Sequence, residues 1–109
     1  MEDSRVIFGE TATCKVCIGE KEIDLCSSLL IENKSPAGFA WGYHGSGPGQ
    51  LAIAILLELY GKDVAIALYQ DFKSDIIAAH DMNKDFVLPV STVKAWVESQ
   101  TKNYNRGRK

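Results

Sequence analysis

The chain has 109 residues, 46% of them hydrophobic and 24% charged, with nine Gly, three Pro and three Cys. That is one globular domain with enough apolar residues to bury a core without a disulfide framework. The formal net charge of −2 argues against a dedicated nucleic-acid binder, and it hides an asymmetry: residues 102–109 hold four basic residues and no acid, so residues 1–101 carry eight basic against fourteen acidic, a net of −6.

The start, Met1-Glu2-Asp3-Ser4, is acidic where a secretory signal is basic, and the longest apolar run, Leu51 to Leu57, is far short of the ~20 residues of a membrane span. An odd number of cysteines fits a reducing compartment. These features lead us to expect a cytoplasmic protein with no membrane partner.

Arg5 to Phe8 reads as a strand. Cys14, Val16 and Ile18, then Ile23 and Leu25, alternate with polar or small neighbours around the reversal Gly19-Glu20-Lys21-Glu22, which predicts a hairpin over 12–26. Residues 27–35 are ambiguous, and Ser35-Pro36-Ala37-Gly38 is a turn. Phe39, Trp41 and Tyr43 alternate with Ala40 and Gly42, which predicts a fourth strand with three rings on one face.

Pro48 suits the first turn of a helix, with Ser46 or Gly47 as N-cap, and the nearly all-apolar segment from Gly49 to Tyr60 predicts a buried helix ended by Gly61. Ala65, Leu68, Tyr69, Phe72, Ile76 and Ala79 recur at steps of three and four. They predict a second helix capped by Asp63, which makes an αα-hairpin with the first. A polar turn over 81–85 leads to a short strand, Phe86 to Leu88. Ser91 then caps a last helix with Val93, Trp96 and Val97 as its apolar stripe. The order predicts an α+β fold: a small antiparallel sheet, the N-terminal hairpin plus further strands, with the αα-hairpin and a C-terminal helix packed on one face. The domain is expected to span 1–101, followed by a basic, disordered tail over 102–109 that solubilises or contacts nucleic acid weakly.

Chemistry concentrates where the expected strand enters the first long helix, at Trp41-Gly42-Tyr43-His44-Gly45-Ser46-Gly47-Pro48-Gly49-Gln50. Converging N–H groups and the helix dipole make such a junction an anion site, although Pro48 removes one donor, and neither a P-loop nor a dinucleotide motif is present. The candidate ligand-binding residues are His44, Gly45, Ser46, Gly47, Gly49 and Gln50 as the loop and Trp41 and Tyr43 as stacking surfaces. The competing reading is a tight turn whose glycines serve geometry alone. Cys14-Lys15-Val16-Cys17 is a formal C-x-x-C with no second pair to complete a zinc set, so no metal and no cofactor is assigned. His80 fits a capping role, and Asp71 and Asp75 fit a solvated helix face.

The strings Ser35-Pro36, Gly38-Phe39, Trp41-Gly42-Tyr43, Gly45-Ser46-Gly47-Pro48, Gln50-Leu51-Ala52 and Ala67-Leu68-Tyr69-Gln70-Asp71-Phe72-Lys73 resemble a small family of bacterial, plasmid and phage proteins, a domain of unknown function numbered 6166, over about residues 5–98. His44 and Gly49 depart from it, since glycine and alanine are common there. The resemblance implies a mobile-element setting and no catalytic residue. Two functions follow as expectations. One is a non-enzymatic module that binds a phosphate-bearing small molecule, a nucleotide or cyclic nucleotide signal, and sequesters it from a host defence system, with a pocket shared in a homodimer. The other is an interaction or inhibitor module whose acidic body binds a basic host protein. An enzyme ranks third, because no set of nucleophile, base and oxyanion donors can be named.

Overall fold

The computed structural model describes residues 3–35 and 38–107, with side chains through Thr101. Its elements in chain order are strands β1 (Val6–Gly9), β2 (Val16–Ile18) and β3 (Lys21–Glu22), helices α1 (Leu25–Ile31), α2 (Ser46–Tyr60) and α3 (Lys62–Phe72), strand β4 (Phe86–Pro89) and helix α4 (Val90–Gly107). The four strands form one antiparallel sheet in the order β3-β2-β1-β4. The helices cover one face of it, so the α+β expectation holds.

The period of two sorts the strand residues cleanly. Ile7 and Gly9 of β1, Val16 and Ile18 of β2, and Phe86 and Leu88 of β4 are buried toward the helices. Against them lies α2, in which every residue from Gly47 to Leu56 is buried. α3 adds Ala65, Tyr69 and Phe72, and α4 adds Val90, Val93 and Val97.

Several expectations shift. The hairpin is shorter than 12–26, because Cys14 adopts φ +60 and its amide turns back to Glu10, and because Asp24 ends β3 by capping α1 through the amide of Cys26. The ambiguous segment 27–35 thus contains most of a seven-residue helix. The turn at 35–38 closes with the Gly38 amide on the Ser35 carbonyl, while Pro36 and Ala37 lie outside the described residues.

Phe39 to Tyr43 is not a strand. β4 takes the edge beside β1, and the 39–45 segment crosses the end of the sheet as irregular chain. Gly61, at φ +96, ends α2 and begins α3 by itself, so Asp63 sits in the first turn of α3 and not at its cap. The expected second helix divides: α3 ends at Phe72, and Lys73–Ile77 form a single π-helical turn closed by the Ala78 amide on the Lys73 carbonyl. That turn aims Asp75 at α4, where it accepts the Trp96 indole N–H at 2.9 Å while the Trp96 ring packs on Phe72. α4 starts at Val90, one residue before the expected Ser91 cap, and its backbone is helical to Gly107; the side chains of the basic tail lie outside the described residues.

Candidate functional site

In the glycine-rich segment the three rings part company. Phe39 and Trp41 are buried, and Tyr43 is 41% exposed. Trp41 packs against Gly9, where a Cβ would come within 2.8 Å of its ring, and tilts on Phe86 with ring centroids 5.5 Å apart. Its indole N–H donates to the Lys84 carbonyl at 2.8 Å. Trp41 is therefore held by the fold and is only 4% exposed. Gly9, a residue the sequence did not single out, is what lets it reach the sheet.

Gly42 has φ +86, donates its amide to the Ile77 carbonyl, and presses on the backbone of Met82 where a Cβ would collide. Gly45 lies under the Tyr43 ring, and Gly47 packs on Ala40 with the Tyr43 hydroxyl beside it. The close approach that the glycines permit is thus made by this chain's own atoms. Gly49 differs, because the nearest atom to an added Cβ is the δ-carbon of Lys73 at 3.7 Å, which leaves room for alanine.

α2 starts with Gly45 as an extended N-cap, placing Ser46 in the first helical position and Pro48 in the third. Neither Ser46 nor Gly47 is the cap. No side chain closes this end and its first turn holds no acid, while Tyr43, His44 and Ser46 are exposed beside it. The δ-carbon of Lys73 also lies against Gly49, which brings this side chain beside the first turn of α2. Lys73 read as a solvated helix residue in the sequence. The usable signal was its place at the end of the family-like string 67–73, which the fold brings against Gly49, between the strings 45–48 and 50–52.

Gln50 is fully buried and has no polar atom left for a ligand. Its Oε1 accepts from the amides of Lys34 and Ser35 at 2.8 and 2.9 Å, and its Nε2 donates to the Ser28 hydroxyl and the Glu32 carbonyl. It fastens the end of α1 and the following loop to α2. Beside it, the Lys34 ammonium 2.9 Å from Glu32 holds that carboxyl below its ordinary range, and Glu32 holds the Lys34 ammonium above its own.

The eight candidate residues therefore split: Tyr43, His44 and Ser46 are exposed around an open helix end, Gly45 is half-buried as its N-cap, and Trp41, Gly47, Gly49 and Gln50 are buried. A depression lined by Thr11, Cys14, Ala40, Trp41, Tyr43 and Met82, which shares only Trp41 and Tyr43 with that set, has a volume of about 120 Å³. Small-molecule pockets run to about 300–1,000 Å³.

The opposite face of the sheet carries a signal that sequence reasoning missed. Its outward residues are Val6 (40% exposed), Phe8 (44%), Cys17, Val87 (52%) and Pro89. Phe8 lies opposite both Cys17 and Val87, and Val6 lies opposite Pro89, so they form one apolar patch. The open face of an antiparallel sheet is ordinarily polar. Glu22 extends the row beyond Cys17, and Glu10 and Asp85 stand where β1 and β4 meet the loops. None of these three carboxylates is in an ion pair among the described residues. The sequence signal was present in Val6 and Phe8, which flank Ile7 and leave the strand apolar on both faces.

Elsewhere, His80 sets its Nδ1 2.8 Å from the Ile76 carbonyl oxygen and its Nε2 3.3 Å from that of Val87, with its ring on Phe86. Cys14, Cys17 and Cys26 are free thiols, and among the described residues no group of three or more His, Cys, Asp or Glu converges to hold a metal. No helix among the described residues is long and apolar enough to cross a membrane.

No curated protein and no solved structure matches the chain. A family model does match, over residues 6–99, which take in the sheet, the buried α2, the Gly49–Lys73 meeting point and α4 through Ser99. On that match the chain belongs to the family of unknown function DUF6166.

Proposed function

We propose that the protein is a non-enzymatic interaction module that docks a basic protein partner on the outer face of its sheet, while the glycine-rich segment serves the fold. The observation that carries this reading is the apolar patch of Val6, Phe8, Val87 and Pro89 on a sheet face that no helix covers. Exposed contiguous apolar surface of this kind marks interaction sites. The acidic rim of Glu10, Glu22 and Asp85 and the net charge of −6 over 1–101 select a partner whose apolar contact is ringed by Lys and Arg. A second copy is disfavoured there, since the same acidic rim would face itself.

The test compares three immobilised proteins in a host lysate: the parent, Phe8→Ser with Val87→Thr, and Ser46→Glu. A basic protein retained by the parent and by Ser46→Glu, lost from the sheet variant and weakened by salt is the expected result. Equal retention on all three would overturn the reading.

The second reading, a phosphate-bearing small molecule at the start of α2, is favoured by one specific feature: the uncapped helix end with Lys73 alongside. A ligand that binds the native state alone raises its melting temperature. Under this reading a nucleotide or cyclic dinucleotide at millimolar concentration stabilises the parent and not Ser46→Glu. Absence of any shift removes it.

A further inference from the structure

The C-terminal helix runs antiparallel to α3. Trp96 packs on Phe72 and donates to Asp75 at one end of α3, whereas Gln100 and Thr101 lie beside Val64 and Leu68 nearer its other end. Between the two helices runs a groove of about 740 Å³, the largest of the clefts described. Its floor is Val64, Ala67 and Leu68, and its α3 wall carries Asp63 and Asp71, both exposed and neither in an ion pair among the described residues. Asp63 and Asp71 are eight residues apart, about 12 Å along one side of the helix. The groove thus asks for a helix-sized occupant, about two turns long, that presents positive charge.

The chain itself carries such a segment. From Lys102 onward the sequence has four basic residues and no acid, and Lys102 and Arg106 are one helical turn apart. The backbone of α4 stays helical to Gly107. Residues 102–107 therefore carry their own chain about 9 Å further along the helix axis. A helix that forms one wall of a groove cannot also lie within it, but the same segment of a second copy can.

We propose that two copies associate through this face, the basic end of α4 in each lying in the acidic α3–α4 groove of the other. The arrangement is a two-fold, self-complementary contact in which tail meets groove twice. It uses the opposite side of the molecule from the open sheet face and stands independently of the function proposed above.

Sedimentation of the full-length chain tests it with two charge-reversed variants, Asp63→Lys with Asp71→Lys and Lys102→Glu with Arg106→Glu. The parent is expected at twice its 12.0 kDa at low salt. Each variant alone, with positions 102 and 106 of the tail and 63 and 71 of the groove of like charge, is expected at the monomer mass with an unchanged circular dichroism spectrum. An equimolar mixture of the two variants restores both contacts and is expected to return to the dimer mass. A parent that is monomeric at every concentration, variants that stay dimeric, or a mixture that stays monomeric would each overturn the proposal. A monomeric parent whose groove instead binds a synthetic basic helical peptide would assign the groove to a different partner.

Discussion

Gly42 and Gly49 lie seven residues apart in one glycine-rich run and answer to different physics. At Gly42 the backbone is left-handed and a Cβ would strike the Met82 backbone, which a rotamer change cannot relieve. Gly42→Ala is expected to cost more than about 2 kcal/mol, the sum of the left-handed penalty and the displacement of the 80s loop, read as a lower urea midpoint. Gly49 sits inside the first turn of α2 with ordinary contact distance to Lys73. Gly49→Ala is expected to stabilise by about 0.5–1 kcal/mol, because alanine loses less backbone entropy in a helix. The glycine pattern alone could not separate these cases, since it records where a side chain is missing and not what occupies the space.

At the scale of elements, one side chain joins α1 to α2. Gln50→Leu keeps the volume but leaves the Lys34 and Ser35 amides, the Glu32 carbonyl and the Ser28 hydroxyl without their partner. An unsatisfied buried group costs about 1–3 kcal/mol, so a loss of several kcal/mol is expected, with faster amide exchange confined first to α1 and residues 32–35. The N-terminal strand is tied to α4 electrostatically, through Asp3, which takes a bidentate contact from Arg5 and a further one from Lys94 at 3.1 Å. Those hydrogen bonds, those of Arg5 first, hold the Asp3 carboxyl well below its ordinary value of 3.8. A carboxylate whose pKa is depressed on folding adds stability above its unfolded pKa and loses it as the pH falls toward the folded one. Asp3→Asn should therefore remove a small, salt-sensitive increment at neutral pH, and the difference from the parent should vanish in acid. Helix α2 was legible in the sequence as one long apolar run between Pro48 and Gly61, α3 because burial is periodic there, and Gly61 because only glycine takes its backbone angle so readily. The false strand at 39–43 arose because alternation of aromatic and small residues also describes irregular chain that buries two rings and exposes a third. The π-helical turn at 73–77 had no sequence signal, because the contacts made from it, Asp75 with Trp96 and the Ile77 carbonyl with Gly42, are to residues 21 and 35 positions away.

For the molecule as a whole, stability and interaction are assigned to opposite faces of one sheet. The inner face is closed by α2, whose ten consecutive buried residues leave no polar stripe, so the helix is a core element and not a surface one. The outer face keeps Phe8 and Val87 about half exposed, and truncating them removes surface that water already touches. The two faces should respond in opposite ways to similar changes. Ile53→Ala, at a fully buried position of α2, is expected to cost about 2–5 kcal/mol, because lost transfer energy adds to an unfilled cavity. Phe8→Ser with Val87→Thr should change the urea midpoint far less, although the pair removes more hydrocarbon than Ile53→Ala does. Native-state hydrogen exchange gives the sharper reading. Amides in the middle of α2 should open only with the whole molecule, and their protection should fall by the full stability lost in Ile53→Ala while remaining unmoved by the sheet-face pair. If the sheet-face pair instead destabilised α2 as much as Ile53→Ala does, the outer residues would be part of the core, and their exposure would not be a docking surface.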